Sequence, residues 1–478
     1  MDRPTLRQEV GKLLKIAAPL IVSNLFFTIQ ILLDRVMLSK YDTDAMAAAG
    51  AAAMVCYPLI GFLQNTVGFA TTFVAQYVGA RRPEKVGPIV NQAILLGLAT
   101  GGVLVALAGF VPELIGLVGH EIRLQYLEAT YGYWMAVAAL PLVVTAAVVS
   151  FFAGRGETVK VVAINAAGTV VNGVLGYGLI FGRMGLPTMG INGAGLALAV
   201  GCGASAVMAL GLYWQPRYDI VYHTLRGLAF EPRLCRRLLR YGVPNGLGWA
   251  MDMIVWTLFT VFIGWLGAGP LAATMLVFNI NASFLIPMLG IAQAVSVLVG
   301  QRLGENRPDL AERITWIGYI LAASVMTSLG IMVACFPNGL LAVFEAQSAS
   351  ETWAETARLV PTLLVFVAVY TFFDSTQIVL SFALRGAGDT LFVTVFMLIV
   401  GFGLVVFPAA YVCWNGWSLY WVWGIATTYL AVLAVGFFLR FRHGRWRMMR
   451  VIEQEPVMVE ETQRATAEMQ ELAPAECD

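Results

Sequence analysis

Three carboxylates, Asp34, Asp252 and Asp374, stand inside apolar runs long enough to cross a bilayer. Hydrocarbon cannot solvate a charge, so an acid at that depth marks an ion or substrate pathway by default and calls for a partner. Around Asp374, the residues Thr371, Gln377 and Ser381 lie at i−3, i+3 and i+7, with Tyr370 at i−4, which gives one polar helix face. Asp252 has Asn245, Gly248 and Trp256 at i−7, i−4 and i+4, and Asp34 has Gln30 one turn before it. Asn165 and Asn172 add two amides to one face of a further run. Desolvation favours the protonated form of a carboxylate and a bound cation favours the ionised form, so such groups can exchange a proton for a cation. Arg35 is placed to snorkel or to pair with Asp34. Taken singly, Gln30, Asn165 and Gln377 would serve equally well as hydrogen bonds between packed helices.

The elements that must position these residues are membrane spans. Of 478 residues, 59% are hydrophobic and 12% charged, and the mean hydropathy is +0.76; a soluble chain carries about 25% charged residues. Apolar runs centred near Leu25, Gly61, Thr100, Ala139, Val170, Ala199, Ile254, Ala282, Met326, Val369, Val400 and Tyr429 predict twelve spans. All should be helices, because backbone polar groups in lipid must be satisfied within their own segment. Lys and Arg crowd alternate connections (Arg81, Arg82 and Lys85; Arg155 and Lys160; Arg233 to Arg240; Arg302 and Arg307; Arg385; Arg440 to Arg450), which places both termini in the cytoplasm. Arg3, Arg7, Lys12 and Lys15 lead into a full-length span, which reads as a retained first helix rather than a cleaved signal. Trp249, Trp265, Trp417, Trp421 and Trp423 read as interface anchors or packing, with Trp256 the exception, a candidate cavity wall.

The chain repeats itself. At an offset of 225, Pro19 recurs as Pro244, and Gln76, Gly79, Arg82 and Pro83 recur as Gln301, Gly304, Arg307 and Pro308. Tyr57-Pro58 and Gly61 match Ile286-Pro287 and Gly290 at 229, and Arg155-Gly156 is echoed by Arg385-Gly386. Six spans precede the second copy, so the copies run parallel and pack about a pseudo-two-fold axis along the membrane normal, with sites expected between the lobes. The expected fold is therefore all-α and integral to the membrane, with twelve transmembrane helices in two six-helix lobes. Its divisions are an N-terminal lobe at 1–215, a cytoplasmic linker at 216–237, a C-terminal lobe at 238–441 and an acidic cytoplasmic tail at 442–478.

Other chemistries lack support. The six cysteines contain no CxxC pair, His120-Glu121 is followed by no second histidine at zinc-protease spacing, and neither a phosphate-binding loop nor a nucleophile elbow occurs. These features argue against an ATP-driven pump, an intramembrane enzyme, a bound cofactor and a nucleic-acid partner.

The ordered pieces resemble the multidrug and toxic compound extrusion family. Lys15 to Pro19, Asp34, Ala47-Ala48 and the Gln76 to Pro83 loop are similar to its first lobe. Tyr241 to Pro244 leading to Asp252, the Gly300 to Asn306 loop, and Tyr370 to Asp374 running into Leu384 to Asp389 are similar to its second. The placement of acids resembles the NorM branch, which implies that Asp252 and Asp374 form a cation site, as Na⁺ ligands if sodium is the coupling ion, and that Asp34 is the first-helix acid and Asn172 the fifth-helix asparagine. Asp252 stands where Glu is usual, Gly176 and Met275 stand where polar residues are frequent, and Arg35 replaces a small polar residue. The resemblance implies a monomeric exporter of organic cations and drugs, coupled to Na⁺ or H⁺, in the bacterial inner membrane. Its cavity would be lined by Gln30, Asn172, Asn245, Trp256, Tyr370, Thr371 and Gln377. A lipid-linked saccharide flippase of the same superfamily, or more remotely a membrane-embedded enzyme, is the alternative.

Overall fold

The computed structural model describes residues 5–116, 120–345 and 353–453. Apart from Glu453, the acidic residues of the expected tail lie outside the described residues. Among the described residues twelve helices are long and apolar enough to cross a membrane: α1 (Leu6–Tyr41), α2 (Thr43–Gly79), α3 (Pro83–Gly116), α4 (Ile122–Gly154), α5 (Thr158–Phe181), α6 (Ile191–Tyr213), α7 (Pro232–Gly264), α8 (Ala268–Gly304), α9 (Pro308–Cys335), α10 (Trp353–Ala387), α11 (Thr390–Trp414) and α12 (Leu419–His443).

Local chemistry sets the ends of these helices. Thr5 and Gln8 form a reciprocal capping box at the start of α1. Asp42, extended between α1 and α2, breaks the chain and accepts the Asp44 N–H at 2.9 Å to begin the next helix. Between the lobes, the segment expected as a linker contains a short helix over Pro216–Tyr222, and α7 begins at Pro232, with proline in the first turn where a missing N–H costs nothing.

Since lipid is as apolar as leucine, helices here associate through close approach and hydrogen bonds rather than through exclusion of water. The lobe seam shows this. The repeat pairs α1 with α7 and α2 with α8, and the structure brings α1 against α8 and α7 against α2, the two contacts a two-fold axis must interchange. A methyl group at Gly61 would strike the Trp249 ring at 1.7 Å, and one at Gly290 would lie 2.8 Å from the Ile21 nitrogen. Nearer the end where α1 begins, a methyl at Gly79 would lie 2.0 Å from the Gln301 carbonyl oxygen, and its repeat mate at Gly304 would lie 2.1 Å from that of Gln76. The two glutamines donate across the seam, Gln76 to Gly386 O at 3.2 Å and Gln301 to Gly154 O at 2.9 Å. The molecule is thus closed at this end by the repeated Gln and Gly residues.

Core membership crosses the sequence division. Leu13, Ile16, Ala17 and Leu20 of α1 are buried in the cluster of the C-terminal lobe, while Leu234 and Leu238 of α7 are buried with Val67, Phe73 and Tyr77 of the N-terminal lobe. Beyond α12 the chain crosses over too. Val451 and Ile452 are buried in that N-terminal cluster, the Val451 N–H donates to Gln76 Oε1 at 2.9 Å, and Glu453 accepts from the Tyr77 hydroxyl at 2.9 Å and from Arg237.

Candidate functional site

Each lobe holds its own acid site. In the C-terminal lobe, α7 supplies Asp252, α10 supplies Asp374 and α12 supplies Tyr429. Asp252 is half-buried and accepts the Tyr429 hydroxyl at 3.4 Å, with the Trp256 indole N–H one turn on directed at the same carboxylate. Asp374 is 6% exposed and accepts the Gln377 amide at 3.0 Å. The two carboxylates lie within Coulombic range of each other. Trp256 packs edge-on against Tyr429 at 6.2 Å, and Tyr370 stacks on Trp423 at 6.3 Å, which makes an aromatic wall beside the acids. Next to α7, α11 widens into a turn of π-helix over Gly401–Val406, with Gly401 against Val255; such bulges are frequent at functional sites.

The helix face expected around Asp374 divides in two. Gln377 serves the carboxylate, whereas Thr371 donates to its own Ala368 carbonyl at 3.0 Å and seats against Gly330 of α9. Asn245 belongs to the lobe seam, where it donates to Asn65 O at 2.9 Å. Asp252 does not meet Asp374 in a direct hydrogen bond among the described residues; its companions are Tyr429, Trp256 and, within Coulombic range, Arg385.

In the N-terminal lobe, Asp34 is 5% exposed. The Asn172 amide, turned so that both its polar atoms are satisfied, donates to Asp34 Oδ1 at 3.2 Å and accepts the Leu198 N–H at 3.2 Å. Gln30 contacts the Cys202 thiol, and Tyr57, Tyr131 and Cys202 surround the acid within Coulombic range. Asn165 instead ties α5 to α1 through Ser23 at 2.6 Å. Arg35 is exposed and makes no ion pair with Asp34 among the described residues, so the cation beside an interior acid is Arg385 rather than Arg35.

Tyr429, Arg385, Tyr57 and Tyr131 escaped the sequence reading. A tyrosine centred in the final span, beside Thr427 and Thr428, is the available signal for Tyr429. Arg385 lies near a span end and so reads, in the sequence, as part of a connection.

Carboxylate and phenol oxygens are the donors a hard cation prefers. No three His, Cys, Asp or Glu side chains converge as a transition-metal site requires, among the described residues.

Twelve membrane-length helices in two lobes, with an acid site inside each, define a two-lobed polytopic membrane protein. A family model described as MatE matches residues 19–178 and 246–412, most of the chain, and the chain belongs to that family. It is 29% identical over 469 residues to a probable multidrug resistance protein NorM of Pseudomonas syringae pv. tomato, covering 95% of this chain and 98% of that one. The same identity relates it to a probable multidrug resistance protein NorM of Pseudomonas aeruginosa, over 95% and 92% of the two chains. An outward-facing multidrug resistance MATE family transporter of the MOP superfamily superposes with a TM-score of 0.80 at 19% identity, covering 90% of this chain and 95% of that one. A MOP superfamily transporter from Pyrococcus furiosus, described by the reverse polarity of its binding pocket, gives 0.82 at 18% identity over 92% and 96%. These two structures bear on the fold.

Proposed function

We propose that the protein is a secondary active exporter of organic cations and drugs, working as a monomer in the bacterial inner membrane with both termini in the cytoplasm, and driven by Na⁺ or H⁺. The observation that carries this reading is the pair Asp252 and Asp374, two acids held inside one lobe by Tyr429 and Gln377, neither hydrogen-bonded to a cationic side chain among the described residues. Two acids beside the one charge of Arg385 leave a negative charge uncompensated in a low-dielectric interior, which binds a cation strongly and is satisfied by one cation at a time. Entry of the coupling ion or proton therefore discharges the organic cation, and the two states are read out through the lobe seam. Asp34 with Asn172 forms a second such position in the other lobe. A lipid-linked saccharide flippase would require a cationic cavity, and the three interior acids supply the opposite sign.

Replacing Asp374 by Asn should lower gradient-driven efflux of ethidium from energised everted vesicles by at least about tenfold, since a charged contact is worth roughly 1.5–3 kcal/mol. Efflux at the unaltered rate would refute the role of this acid. Imposing Na⁺ and H⁺ gradients separately in liposomes identifies the coupling ion.

A further inference from the structure

The two lobes treat one repeated arginine in opposite ways. Arg155, at the end of α4, bonds to Glu157 and is enclosed by the rings of Phe151, Tyr218 and Tyr222 at 4.5, 4.9 and 4.1 Å. The offset of 230 that maps Arg155 onto Arg385 maps Glu157 onto Ala387, so the second copy lacks the local acid. The next acid along, Asp389, is already taken by Arg440, which donates from Nε at 2.7 Å and from Nη2 at 3.2 Å. Among the described residues Arg385 is left with weak contacts, the Met397 sulfur at 3.6 Å from Nη2 and the Phe382 ring at 5.6 Å, and its Nε is buried without a partner. Gly248, one turn before Asp252, is the notch that admits it. A methyl there would lie 3.5 Å from Arg385 Nη2 and 2.8 Å from the Thr394 hydroxyl. The groups facing Asp252 are Tyr429 from α12, Trp256 from its own helix, and Arg385 and Asp374 from α10.

We infer that Arg385 is the tethered counter-cation of Asp252: it competes with the transported cation for that carboxylate, holds the C-terminal site at one net negative charge, and supplies the charge that replaces the cation on release. A guanidinium suits this role because it stays charged when desolvated and moves on a flexible stem. The inference rests on the proposed role of Asp252 and makes Arg385 a specificity-determining residue for it.

The test is ethidium binding to the purified full-length protein in nanodiscs, read by fluorescence anisotropy at one fixed pH and low salt. R385Q should tighten ethidium binding at least about fivefold, R385K should leave it within about twofold, and R385Q placed on D252N should change nothing further. R385M, which keeps the packing on Phe382 and Met397, carries the same expectation as R385Q if the latter does not elute as a single species. If D252N weakens ethidium binding while R385Q and R385M leave it unchanged or weaker, the counter-cation role is overturned and the role of Asp252 stands. If D252N itself has no effect, both fall.

Discussion

Alanine at Gly79 would place a methyl 2.0 Å from the Gln301 carbonyl oxygen, where ordinary contact begins at 3.4 Å. A backbone carbonyl within a helix cannot rotate aside, so α2 and α8 must separate there by about 1.4 Å, at a cost of roughly 1–3 kcal/mol if the overpacking is not relieved. Opening this end of the molecule relieves it. The equilibrium between closed and open forms should therefore shift about 5- to 150-fold toward opening. By the two-fold relation, Gly304→Ala, whose methyl would lie 2.1 Å from the Gln76 oxygen, should act alike. Spin labels on cysteines at the exposed positions Lys85 and Glu305, in a background free of the native cysteines, would report the separation by pulsed electron resonance. Both variants should lengthen it while the thermal unfolding of the protein in detergent is retained. An unchanged distance distribution in a folded variant, or opening by one glycine variant and not the other, would refute the reciprocal seam.

Two further outcomes follow from the same contacts. Burial opposes the charge on Glu453, but its own backbone N–H together with the bonds from Tyr77 and Arg237 outweighs it and holds this carboxyl below the usual range. Its contribution to docking the segment after α12 is therefore full above the ordinary Glu pKa of about 4.3 and is lost as pH falls through the lower docked value. Glu453→Gln should reproduce that loss at neutral pH, as faster amide exchange at Val451, and unaltered exchange would show the contact to be idle. Asn172→Ala leaves the buried Asp34 without its amide donor, a loss of about 1–3 kcal/mol that should lower ethidium export roughly tenfold if the N-terminal site lies on the transport route. Export at the normal rate would remove that site from it.

The number of spans, the parallel repeat and the three interior acids were legible in the sequence, because hydrocarbon imposes a length and a charge penalty that a one-dimensional pattern records directly. The repeated Gln76 and Gln301 were visible as a pair, but not as partners across a seam. What a pattern of depth cannot report is azimuth, the direction in which a residue at a given depth points around its helix. The tertiary structure alone decided that Arg35 faces outward while Arg385 packs in the notch at Gly248, that Thr371 turns to α9, and that the first half of α1 packs into the opposite lobe. Each of these depends on which neighbouring helix offers a glycine notch or a hydrogen-bond partner, and that neighbour is often hundreds of residues away in the chain.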